Sequence, residues 1–158
     1  MAKSCQLMAW THKGQVRMVP SLVAEMAEPF VRRIQAAEDE PAARDEDGKI
    51  EQLLRRSRAY ESLARYFQSV GYWQDAFIHY VKSATMLTVC TDHAWIDTDE
   101  GFLLCQPLES RFFSVYGKCT RLCDEHPALK GSLQWQTLQE RHAAVTSVYR
   151  IWHAEEKR

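Results

Sequence analysis

The sequence is short of breakers. Six glycines and five prolines make 11 of its 158 residues, below the roughly 12% of average usage. Few breakers mean long uninterrupted elements, and that favours helices. No run approaches the roughly 20 apolar residues that cross a bilayer. Leu7 to Trp10 give way at once to Thr11, His12, Lys13 and Gly14, too early for the ~7–15-residue core of a secretory leader. Cysteine is sparse and odd in number, with Cys5, Cys90, Cys105, Cys119 and Cys123 in no close framework. A reduced compartment tolerates that pattern, so a soluble cytoplasmic protein is expected. A charge of one sign is missing too: 20 basic and 21 acidic residues leave −1. The basic excess of a dedicated nucleic-acid binder is absent, and no nucleic acid is expected as a partner. No glycine-rich phosphate loop, nucleophile elbow or H-E-x-x-H motif occurs, so nothing demands an enzyme.

What remains reads as helical. Hydrophobic residues are 46% and charged residues 26%, close to the globular average. A chain of this length buries about two-thirds of its unfolded surface without disulfides or metals. Residues 1–20 form a separate N-terminal segment, a short hairpin around His12-Lys13-Gly14 or coil. Residues 21–158 are expected to form a single all-α domain, a bundle of about five helices. Ser21 is the expected N-cap of a stripe at Leu22, Met26, Phe30 and Ile34, with Pro29 marking a kink or a new start. Residues 38–47 hold six acids and one arginine and read as a solvated acidic loop of charge −5. The rest of the chain therefore carries +4, concentrated locally in Lys49, Arg55, Arg56, Arg58 and Arg65.

A helical stripe runs through Ile50, Leu53, Leu54, Tyr60, Leu63, Phe67 and Val70 and ends at Gly71. A second follows at once through Trp73, Ala76, Phe77, Tyr80, Val81, Ala84 and Leu87. So short a connection folds the two back as an antiparallel pair. Thr91 to Pro107 reads as a long connection, Leu108 to His126 as a fourth helix closed by Pro127, and Ser132 as the cap of the last. That helix carries Trp135, Leu138, His142, Val145, Tyr149 and Trp152.

The pair from Ser57 to Cys90 resembles a tetratricopeptide repeat, a 34-residue unit of two antiparallel helices. Tyr60 stands at the early aromatic place, Leu63-Ala64 at the large-small pair, Phe67 at the next packing place and Gly71 at the turn, with Trp73 just after it. Ala76, Tyr80 and Ser83 fill the small, aromatic and small places of the second helix. The usual closing proline is missing, with Thr88 in its place, and the match covers residues 57–90 only. The resemblance implies a non-catalytic protein–protein interaction module. Its inner face would hold Arg58, Glu61, Ser62, Arg65 and Gln68 and receive a peptide or partner helix, often acidic. Of these, Arg58, Glu61, Arg65 and Gln68 are the expected binding residues. Two arginines seven apart can grip carboxylates by paired hydrogen bonds.

Three other constellations compete. Arg121 and His126 resemble the R-x4-H signature of HEPN-type ribonucleases, small helical bundles in which such a pair acts on the scissile phosphate. The adjacent Asp124 and Glu125 would repel that phosphate. Cys119, Cys123 and His126 share a helix face and could offer zinc three ligands with His93 or Cys105 as a fourth. Buried free cysteine explains the first two as well, so no metal and no cofactor is expected. Asp97 to Gly101 echoes the start of a calcium loop without its later ligands. Trp10, Trp95 and Trp152, if exposed, would anchor a second interface or a homo-oligomer.

Overall fold

The computed structural model describes residues 10–12, 15–17, 20–91 and 99–156. Among the described residues the protein is an all-α bundle of five helices, preceded by one small hairpin. Strands β1 (Trp10–His12) and β2 (Gln15–Arg17) pair antiparallel, Trp10 opposite Arg17 and His12 opposite Gln15. The helices are α1 (Pro20–Asp39), α2 (Glu46–Ser69), α3 (Trp73–Thr85), α4 (Asp99–Glu125) and α5 (Leu133–Glu156). Short 3-10 turns at Met86–Thr91 and Pro127–Gly131 follow α3 and α4. No helix among the described residues is long and apolar enough to cross a membrane.

The turn between α2 and α3 explains why they pair. Gly71 takes φ 83°, a left-handed conformation that costs glycine nothing. Its N–H bonds the carbonyl of Gln68 at 3.2 Å, and Tyr72 N–H bonds that of Phe67 at 2.9 Å. These two bonds are a Schellman closure, which satisfies the last carbonyls of α2 and reverses the chain. Contacts then zip the helices in opposite directions. Gln68 meets Tyr80, Phe67 meets His79, and Ser57 meets Ser83. Ala64 and Ala76, both at 0% exposure, lie between them where large side chains would hold the backbones apart.

One continuous core joins α2 and α3 to α4 and α5. Phe77, Tyr80, Leu87, Leu108, Phe112, Val115, Leu122, Leu138 and Val145 are all buried in it. Each large side chain there contributes about 1.5–3 kcal/mol through removal from water. Ser132 caps α5 as its sequence suggests, its Oγ accepting from Trp135 N–H at 3.2 Å. Trp135, Leu138 and Val145 then face the core, with His142 stacked at 4.0 Å on Tyr116. Tyr149 of the same stripe is exposed.

Several expectations need correcting. The long connection after Thr91 is largely helix, because α4 starts at Asp99 and runs through Pro107. That proline removes one backbone donor, but Cys105, Leu108 and Phe112 on either side of it are fully buried and hold the helix in register. Ser21 does not cap α1. The helix begins at Pro20, whose ring presets the first helical residue, and Ser21 lies in the first turn. The buried face of α1 is Val23, Ala27 and Ile34, while Met26 is 48% exposed. A stripe spaced strictly four apart drifts around a 3.6-residue helix, and only Ile34 of its buried end stays inside. Pro29 lies within α1, which continues past it.

The acidic loop is also shorter than 38–47. Helix α1 takes its first two residues, and α2 takes Glu46 and Asp47 into its first turn, where carboxylates suit the helix dipole. The remainder is fastened to α2. Gln52 donates to the carbonyl of Pro41 and accepts from Ala43 N–H, and Glu40 pairs with Arg55 at 2.5 Å. Asp97, His93 and Trp95 lie outside the described residues, as do the side chains of Trp10 and Trp152.

Candidate functional site

The interior of the helix pair is more polar than its apolar stripes suggest. Ser57 and Ser83 face each other at 0% exposure. Ser57 Oγ donates toward the carbonyl of Ser83 at 3.1 Å, and Ser83 Oγ donates to that of Ser57 at 2.7 Å. Arg111 of α4 reaches in and donates from Nε to Ser57 Oγ at 2.9 Å. Its Nη2 lies 2.5 Å from Glu61, whose other carboxylate oxygen accepts from Lys118 Nζ. A buried carboxylate survives when charges and hydrogen bonds compensate its lost hydration. Burial alone would push the Glu61 carboxyl up. The Lys118 hydrogen bond and the charges of Arg111 and Lys118 outweigh it and hold the group below the usual range.

Glu61 is therefore placed otherwise than the tetratricopeptide resemblance implied. It is 9% exposed and faces α4, where it neutralises two cations. The pattern of α2 alone put it on an open face. Its partners lie 50 and 57 residues away in the chain, and no local spacing reports a contact at that range.

Above this network the second and fourth helices part to form a cleft of about 520 Å³. Arg65, Gln68 and Ser69 of α2 line it, with Tyr80 of α3 and Lys118, Arg121 and Glu125 of α4. Tyr80 donates its hydroxyl to Gln68 Oε1 at 2.7 Å. Burial first, then the charge of Glu61, pushes that hydroxyl up to about 12, with Arg65 and Arg121 pulling the other way. It stays protonated, and the bond it donates turns the Gln68 amide so that its NH2 is free to meet a ligand. Arg65 and Arg121 are exposed and form no ion pair among the described residues.

The four expected binding residues thus separate. Arg65 and Gln68 share the cleft, and Glu61 lies beneath it against Lys118. Arg58 lines a different groove of about 440 Å³ between α1 and α2, with Arg33, Arg55 and Glu40 around alanines 36, 37 and 59. The residues that sequence reasoning missed are Lys118 and Arg111. Both interrupt the apolar pattern of α4 beside Phe112, Val115, Cys119 and Leu122, and that interruption is the one signal the sequence offers.

The competing constellations are also placed. Arg121 lines the cleft, whereas His126 follows the end of α4 and stacks on Trp73, the ring centroids 4.3 Å apart and 6° from parallel. Cys119 and Cys123 are buried in the core, and burial pushes both thiols up, which disfavours the thiolate a metal needs. Cys105 is likewise buried, its thiol raised to about 11 by burial and then by Glu109. Among the described residues, no group of three or more His, Cys, Asp or Glu side chains could hold a metal ion. Compared with protein-family models, curated proteins and solved structures, the chain matches none of them.

Proposed function

We propose that the protein is a non-catalytic interaction module that captures an acidic peptide segment of a partner protein on its tetratricopeptide-like helix pair. Arg65 and Gln68 of α2 act in it together with Lys118 and Arg121 of α4. The observation that carries the reading is the convergence of three cations on one cleft in which two arginines form no ion pair among the described residues. Like charges gathered this way repel each other, and an anionic ligand relieves that repulsion while gaining charge-assisted hydrogen bonds. The cleft's size is in the ordinary range for ligand sites. Its walls are helices anchored in the main core, and Tyr80 and Glu61 hold Gln68 and Lys118 in place before binding, which lowers the ordering cost of those two donors.

The test is fluorescence anisotropy with a labelled glutamate-rich peptide and a lysine-rich peptide of equal length. The wild-type protein is expected to bind the first and ignore the second. The double variant R65E/R121E should weaken binding roughly hundredfold. Both side chains are exposed, so thermal unfolding should stay where it is. Binding of neither peptide, or binding indifferent to the charge reversal, overturns the reading.

A further inference from the structure

We propose that the group this cleft selects is the phosphate of a phosphorylated side chain on the partner peptide, an inference that rests on the interaction reading above. The first support is charge. Four cations, Arg65, Arg111, Lys118 and Arg121, meet two carboxylates, Glu61 and Glu125, at the cleft and its floor. Two positive charges are left over. A carboxylate side chain neutralises one of them, while a phosphate monoester carries close to two negative charges at neutral pH.

The second support is the donor inventory. Arg65 and Arg121 offer guanidinium forks, and Lys118 keeps two of its three N–H donors after serving Glu61. Gln68 presents its NH2 because Tyr80 occupies its oxygen. Ser69 is turned away, its hydroxyl donating to the carbonyl of Tyr66 at 2.6 Å. Among the described residues Glu125 is the only carboxylate lining the cleft. A lining made almost wholly of donors suits a ligand made wholly of acceptors. Three terminal phosphate oxygens can use more of these donors than two carboxylate oxygens can.

A nucleic-acid backbone presents phosphodiesters in a line, each with one charge, and needs a track of cations to follow it. Here Arg65, Lys118 and Arg121 converge on one cleft with Glu125 at its wall, the other basic cluster, Arg33, Arg55 and Arg58, lies in a separate groove beside Glu40, and the whole chain carries −1. A single dianion fits that distribution; a polyanion does not.

The experiment compares three labelled peptides that differ at one central residue: phosphoserine, glutamate and serine, in a shared acidic sequence. Titrations use the full chain at physiological ionic strength, with a single-stranded RNA of similar length as a fourth ligand. The expected result is binding of the phosphoserine peptide roughly tenfold or more tighter than the glutamate peptide. Arg121→Gln and Arg65→Gln should each erase most of that difference while leaving the melting temperature unchanged. Equal affinity for phosphoserine and glutamate overturns the phosphate assignment and leaves the interaction module standing. Binding of none of the peptides overturns both. RNA held more tightly than the phosphopeptide overturns the choice of occupant.

Discussion

Helix α2 has two working faces, and they are built to different standards. Toward α3, α4 and α5 it joins the continuous core around Phe77, Tyr80 and Phe112, and it adds the clasped serines and the Glu61 ion pairs. Toward α1 it meets only a small cluster, Ala27, Ile34 and Leu63, flanked by half-buried Phe30, Tyr60 and Tyr66. Tyr66 stacks on Phe30 there with centroids 5.2 Å apart and donates its hydroxyl to the carbonyl of Val23. Helix α1 leaves Met26 and Val31 about half exposed. The contrast shows where a rigid site can be placed. The cationic cleft opens on the well-packed side, where Tyr80 holds Gln68 and Glu61 holds Lys118. The Arg58 groove opens on the side held by the smaller apolar cluster, which is expected to open more readily than the main core.

Three substitutions probe that contrast. The largest effect is expected at Phe112, which is fully buried among Phe113, Tyr116 and His142. Phe112→Ala should cost about 4 kcal/mol in chemical denaturation, through lost burial and the cavity left behind. A loss no greater than that of a surface substitution would mean the main core is not where the stability lies.

Next comes Glu61→Ala, which strands Arg111 and Lys118 without their counter-ion and should cost about 3 kcal/mol. The same residue gives the fold an acid-side sensitivity. Its folded carboxyl titrates below the 4.5 of an ordinary glutamate, so the unfolded state binds the proton more readily. The stabilisation is then present above pH 4.5 and lost as pH falls through the lower folded value. Wild-type stability measured against pH should fall in that range. Glu61→Gln should flatten this part of the curve, and an unchanged curve would count against the ion-pair network.

The smallest of the three is Ile34→Ala, expected to cost about 2 kcal/mol, the low end for such truncations, because its surroundings are thin enough to relax. Hydrogen exchange should show α1 opening more often in this variant while the amides of α3 and α4 stay protected. A uniform rise in exchange would make the two faces of α2 one cooperative unit and erase the distinction.

Much of the fold was legible because its signals are local. The Gly71 turn, the alanines at 64 and 76, and the cap at Ser132 each act within a few residues, where glycine conformation, side-chain volume and one hydrogen bond decide the outcome. Errors came where a local rule met a stronger neighbour. Pro107 looked like a boundary, yet the buried residues around it carry the helix through. The α1 stripe was misplaced because a strict four-residue spacing drifts around the helix, which leaves Met26 exposed while Val23 and Ala27 are buried.

By itself, then, the sequence determined the helices, the reversal between α2 and α3 and the basic character of the segment that follows the acidic loop. These depend on backbone conformation, periodicity and composition, all of which are written along the chain. Only the tertiary structure decided which charges are spent and which are available. It took Glu61 inside to hold Arg111 and Lys118, sent Arg58 to another groove and brought Arg121 to Arg65 across α2 and α4. Whether a charged side chain is a structural counter-ion or a ligand donor depends on what packs against it, and those partners come from distant parts of the chain.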